Sequence, residues 1–477
     1  MSARQAVRIL FNAPSRLAEA SYALGELSLR IGMPLDFVMS ADGAAVHAVY
    51  SPSRSDLGVP CIPFDESCYQ DATECHPVGM PVLWAPAGTP PESVDLIGGV
   101  FRLLTLLDER GIAETSRNSR GIFFTDALPA GRRQVLADPL VENHAAALRS
   151  LLHRRADLPP PTPLWPDNYQ WAVLLTHDTD ALNIGSPKEI LFNAVKAVAR
   201  RDEVRVQMAR NGWRMRHKAP HENPLFGFSG WRKMTTARGT RSAFYLYARG
   251  RVPPTLNDCR SDVTHPLMDW DLLREMAADG CEFGLHAPIR AKESIDEFLW
   301  GKQFMEQRLG QPIFGLRHHY WALDWRSPYL TYRMHVNAGF RYDLSMAWRD
   351  SPGLRPGSCL PYQPFDPGRM RALDIYSVPT LLMDAHVIQP AYSLENAVDR
   401  AIDAIDGVRR VGGIACLDWH TESACNDYTY SGYRTVLEKI IDRIAEAGDA
   451  WITTPWQLVQ HWHLRRRALV GGSGSEQ

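Results

Sequence analysis

The chain has 477 residues, 45% hydrophobic and 22% charged, with a formal net charge of −2. That composition is ordinary for a soluble globular protein of more than one domain, and the near-neutral balance weighs against a nucleic-acid partner. No apolar run reaches the 18 or so residues of a membrane span and the first stretch lacks the apolar core of a secretory signal, so a cytoplasmic protein is expected, of unknown oligomeric state.

In chain order, "AVRILFN" (6–12) reads as a strand. "DLIGGVFRLLTLLDERG" (95–111) and "NHAAALRSLLHRR" (143–155) read as helices. Residues 50–92, rich in Pro, Cys and Asp, read as loops. Cys61, Cys68 and Cys75 repeat every seven residues and His76 follows, but gaps of six fit none of the usual zinc spacings, so free thiols are expected. The run "RADLPPPTPLWPDNYQ" (155–170) is a break, because consecutive prolines lack amide donors and have a fixed φ. The expected organisation is an N-terminal α/β accessory domain at 1–154, a Pro-rich linker at 155–170, a larger domain at 171–465 and a flexible tail at 466–477.

Beyond the linker, strand-like runs alternate with helix-like ones. The strand candidates are "WAVLLTH", "SAFYLYA", "CEFGLH", "PIFGLRHH", "RYDLSM", "IYSVPTLLMD", "GIACLDWH" and "AWITT". This alternation predicts a parallel sheet covered by helices, and so many units point to a (β/α) barrel rather than an open sheet. Polar residues gather where these strands end: His177, Asp178 and Asp180; His286; Arg317, His318 and His319; Asp343; Asp384; Asp418 and His420. In a barrel such ends converge on one mouth. Carboxylates and imidazoles there suit Zn²⁺ or a similar divalent metal, a carboxylate base and a histidine acid, the parts of a hydrolase. Gly284 and Gly315 read as close-packing glycines. The basic stretch 197–218 reads as a solvated helix, or as a rim that attracts an acidic glycan.

The ordered set "THDTD", "EFGLHAPIR", "LRHHYW", "YDLSMAW" and "LDWH" resembles the polysaccharide deacetylases of the NodB-homology, carbohydrate esterase family 4 group, over about residues 171–460. The resemblance implies a distorted (β/α) barrel that removes acetyl groups from sugars or glycans with a divalent metal, most simply zinc. It also implies roles. Asp178 is the catalytic base, Arg317 orients it, and His420 is the general acid. Where the family carries a metal-ligand Asp this chain has Thr179, with Asp180 one residue later in its stead. The second motif keeps His286, but Arg290 stands where a second ligand histidine is usual, and a guanidinium offers no lone pair. His319 is expected to restore the set, giving Asp180, His286 and His319 as metal ligands. Adjacent residues on a strand face opposite ways, so His318 is expected outside. Arg290, Tyr320 and Trp348 are expected to touch substrate, Trp348 being equally readable as core. Asp384 is a candidate to fix the tautomer of His420. Two alternatives stand beside the deacetylase: a glycan-binding or assembly protein that has lost catalysis, and an amidohydrolase acting on a small non-sugar amide.

Overall fold

The computed structural model describes residues 6–41, 45–53, 57–70, 89–153, 158–250, 258–259 and 262–471. Cys75, His76, the start of the linker at 155–157 and the last residues of the tail, 472–477, lie outside them. Cys61 and Cys68 are free thiols.

The first expected strand forms β1 (Val7–Phe11), whose alternate residues Val7, Ile9 and Phe11 are buried. With β2 (Leu35–Val38), β3 (Ala48–Ser51) and β4 (Cys61–Pro63) it makes a parallel sheet in the order β2-β1-β3-β4. Helix Leu17–Ile31 crosses from β1 to β2 and stops at Gly32, whose φ of 80° favours a residue without a side chain. Buried charge ties this region to the rest. Arg355 grips Glu109 (Nη2–Oε2 2.7 Å), and Arg30 spans Glu142 (3.1 Å) and the Ser358 hydroxyl (2.9 Å). The apolar core runs without a break from this sheet into the barrel.

The barrel begins at β5 (Trp171–Asp178), eight buried residues, as expected of a strand covered on both faces. It is flanked by β6 (Ala243–Tyr247), β7 (Glu282–Ala287), β8 (Gly315–His318) and β9 (Tyr342–Asp343), each parallel to the last. A small hairpin, β10 (Phe365–Asp366) with β11 (Arg371–Ala372), stands apart from this sheet. The expected strand 375–384 appears as two short pieces, β12 (Tyr376–Ser377) and β13 (Leu382–Met383). The reason is a change of partner. The Val378 amide bonds to Asp343 O of β9, Pro379 has no amide to give, and the Leu381 amide bonds to Cys416 O in β14 (Ile414–Asp418). β14 returns beside β5, and β15 (Ala450–Thr453) pairs with the first half of β5. One segment thus serves both edges of the curled sheet, and the fold is the expected α/β class with a distorted (β/α) barrel.

The intervening helices start where their sequences provide caps. Asp269 accepts from the Leu272 amide, Ser294 from Asp296 and Ser393 from Asn396. The end of the barrel opposite the polar mouth is plugged by tyrosines. Tyr245 and Tyr342 share a hydroxyl hydrogen bond of 2.9 Å, and Tyr342 donates to Glu282. Gly284 and Gly315 leave room for these rings, since a Cβ on Gly315 would overlap the Tyr342 ring and one on Gly284 the Tyr245 ring. Among the described residues no helix is long and apolar enough to cross a membrane.

Gly315→Ala is therefore expected to lower folding stability by about 1–3 kcal/mol, the usual cost of overpacking a rigid core. A urea melt checks this, and an unchanged midpoint would contradict the packing described.

Candidate active site

β5 delivers its polar end by simple alternation. His177 turns away from the mouth. Its ring stacks on Trp231 (4.7 Å) and Phe244 (4.8 Å), its Nδ1 lies 2.8 Å from Trp419 O, and burial pushes its pKa down to about 3. Thr176 and Asp178 face inward. Thr179 holds β6 instead: its hydroxyl donates to Tyr245 O (2.9 Å) and accepts from the Tyr247 amide (2.9 Å). Asp180 follows and leans back into the mouth.

The Arg317 guanidinium, wholly buried, is the hub. It donates to Asp178 Oδ1 (2.9 Å) and to Thr176 Oγ1 (2.8 Å), lies 2.9 Å from Asp418 Oδ1, and sits over the Tyr245 ring at 4.9 Å. Two carboxylates share one cation. Burial pushes the Asp418 pKa well up, Arg317 opposes this, and Asp178 reinforces it.

Asp180 meets His286 Nε2 at 3.2 Å, His319 Nε2 at 3.4 Å and the Cys259 thiol at 3.2 Å. Ligand atoms of these four lie within 4.8 Å of one another. Burial works against the Asp180 carboxylate, but His319, His286 and His420 outweigh it and hold the pKa well below the usual range. His286 places Nδ1 3.1 Å from the Arg317 carbonyl, which can only accept, so Nδ1 carries the hydrogen of that bond and Nε2 is the nitrogen that meets Asp180. Between Nε2 and the carboxylate stands a proton or a metal cation. One carboxylate, two imidazoles and a nearby thiol form a donor set compatible with a divalent metal.

His420 completes the mouth. Its Nδ1 is 3.0 Å from Asp384 Oδ1, its backbone amide donates to Asp384 Oδ2 (3.0 Å), and its Nε2 points inward, 3.7 Å from Asp180. Burial opposes the imidazolium, yet Asp384 holds the pKa well above the usual histidine range.

The structure gathers Asp178, Asp180, His286, His319, Tyr320 and His420 around one cavity of about 120 Å³, with Arg317 behind it. It leaves two candidates elsewhere. Arg290 pairs with Glu293 (2.7 Å) in a separate cleft, and Trp348 is buried against Phe123 and Leu128. His318 faces outward, its Nε2 2.9 Å from that of His335. Sequence reasoning overlooked Cys259 as a neighbour of Asp180, and also Arg349, which lines the cavity. Neither lies at a strand end or in a spaced motif. Directly after His319, both Tyr320 (φ 58°) and Trp321 (φ 50°) adopt the left-handed conformation.

No family model matches the chain, and no curated protein does. Among solved structures, a Mycobacterium smegmatis chain assigned to the polysaccharide deacetylases is 18% identical, over 67% of this chain and 99% of its own, with a TM-score of 0.42. Puue allantoinase is 16% identical, over 64% and 94%, at 0.42. A probable polysaccharide deacetylase from Pseudomonas aeruginosa PAO1 is 16% identical, over 64% and 95%, at 0.41. With likenesses this distant, the functional reading rests on this chain's own residues.

Arg317→Leu leaves Asp178 and Asp418 buried without their cation. A loss of about 3–5 kcal/mol in chemical denaturation is expected. Asp418 binds its proton more tightly folded than unfolded, so its contribution is present at low pH and lost as pH rises. The deficit of the variant is therefore expected to be larger near pH 8 than near pH 5, and a deficit independent of pH would count against a shared cation.

Proposed function

We propose that this protein is a metal-dependent hydrolase that removes acetyl groups from a sugar, a glycan or a glycan precursor, in the cytoplasm. The observation that carries the reading is the convergence, on one small cavity, of Asp178 held by Arg317, the Asp180–His286–His319 cluster, and His420 held by Asp384. Asp180, His286 and His319 are the residues that would hold the metal, with zinc the simplest fit to this donor set. A divalent cation there supplies a water of lowered pKa and polarises an acyl carbonyl.

The chain's own groups do the rest. Asp178, fixed by the guanidinium of Arg317, takes the proton of the attacking water. His420, whose Nδ1–H is held by Asp384, keeps a proton on Nε2 and hands it to the departing amine or alkoxide. The mostly buried mouth lowers the local dielectric and strengthens both interactions. Tyr320, at the rim, contacts the substrate. A second reading, an amidohydrolase acting on a small non-sugar amide, is favoured by one observation: a cavity of about 120 Å³ has room for an acyl group and little more.

Elemental analysis is expected to find about one zinc-like ion per chain, kept in Asp178→Asn and lost in His286→Ala and His319→Ala. Absence of metal from protein purified without chelator, with none taken up on addition, would overturn the hydrolase and leave a binding protein. With metal present, Asp178→Asn is expected to abolish hydrolysis, and His420→Ala to lower kcat about 10²–10⁴-fold. A panel of acetylated sugars and small amides separates the two substrate readings.

A further inference from the structure

The cavity of about 120 Å³ takes an acyl group but not a whole sugar, since ligand pockets usually measure about 300–1,000 Å³. A second cleft, of about 600 Å³, is lined in part by Arg120, Arg290, Lys292 and Arg326, and Arg120 links it to the cavity residue Tyr320. Most of that charge is already used. Arg290 pairs with Glu293 and Arg326 with Glu114, while Lys292 donates to the carbonyls of Arg120 (3.0 Å) and Leu323 (3.3 Å). The guanidinium of Arg120 differs. Among the described residues it has no carboxylate partner, and it lies over the Tyr320 ring, 4.2 Å from the centroid.

Tyr320 stands between the two spaces, lining the catalytic cavity on one side and touching Arg120 of the cleft on the other. A second cation meets the same ring. Arg349, which lines the catalytic cavity, holds its guanidinium 4.7 Å from the Tyr320 centroid and likewise has no carboxylate partner among the described residues. Two positive groups held on one ring stand at most about 9 Å apart and repel each other. The aromatic face offsets part of this repulsion, and an anion at the rim would remove the rest. One guanidinium belongs to the N-terminal region and the other follows β9, so the barrel alone does not complete this rim.

We infer that Arg349 and Arg120, set on Tyr320, form an anion subsite at the catalytic mouth. The substrate then carries a phosphate or carboxylate close to the acyl group that is removed, and its remaining body lies in the larger cleft. This rests on the hydrolase reading for the position of the acyl group, but the binding it requires can be read without turnover.

The test is calorimetric titration of the metal-loaded Asp178→Asn protein with N-acetylglucosamine 1-phosphate, N-acetylmuramic acid and neutral N-acetylglucosamine. At least one acidic sugar is expected to bind about tenfold or more tightly than the neutral one, and which of them does so separates phosphate from carboxylate. Adding Arg120→Gln or Arg349→Gln is expected to cut that preference about tenfold, and raising the salt should shrink it. Equal affinity for all three sugars, no binding of any, or a preference that survives both arginine substitutions would overturn the subsite. A preference lost in His286→Ala but kept in the arginine variants would place the anion on the metal and overturn it too. Wild-type protein that holds no metal and takes none up, yet prefers acidic sugars by this route, would sink the hydrolase and leave the subsite standing. One that hydrolyses neutral and acidic sugars equally would do the reverse.

Discussion

The buried guanidinium of Arg317 is the constraint on which the rest of the mouth depends. Reached from β8, it is hydrogen-bonded to Thr176 and Asp178 of β5, touches Thr380 from the segment that serves both sheet edges, and lies against Asp418 of β14. A charge this deep is tolerated only when paired and hydrogen-bonded on several sides. Meeting that condition fixes how far apart these strands stand and aims Asp178 into the cavity. The same residue's backbone carbonyl fixes the His286 ring, so Asp178 and the Asp180–His286–His319 cluster are set by one position in the chain.

Much of this was legible in the sequence, for definite reasons. Strands covered on both faces read as apolar runs, and the polar residues that end them stand out against that background. Barrel topology then brings distant ends together, which is why Asp178, His286, Arg317 and His420 could be picked out from separate motifs. Alternation along a strand predicted that His318 turns away, and it does; His177 turns away by the same rule. Two candidates, Trp348 and Arg290, do not line the small cavity, for equally definite causes. Trp348 follows its motif into a buried cluster with Phe123, whose position no local pattern reveals. Arg290 finds Glu293 three residues away, a pairing a short helical turn makes easy. Cys259, Arg349 and Arg120 come from loops or from the first 150 residues, so only the assembled fold shows them near the mouth.

The segment 376–383 matters for how such a mouth can form. It bonds to β9 with its first half and to β14 with its second, so neither sheet edge is satisfied until both partners are in place. The pairing that closes the sheet, β14 on β5, joins Ile414 to Ala172 across most of the barrel sequence, and a contact this non-local favours cooperative, late completion. The polar groups at the strand ends then acquire their geometry together, in the same step that sequesters Arg317.

The turn after His319 carries a different consequence. Tyr320 and Trp321 are consecutive bulky residues in the left-handed region, a conformation that costs roughly 1–3 kcal/mol per residue and persists only where surroundings over-determine it. Glycine there would relax the backbone, at the price of the ring that touches His319 and both arginines. An engineer seeking a hardier protein would thus meet at residues 320 and 321 a trade-off between backbone relaxation and the contacts that the Tyr320 ring makes.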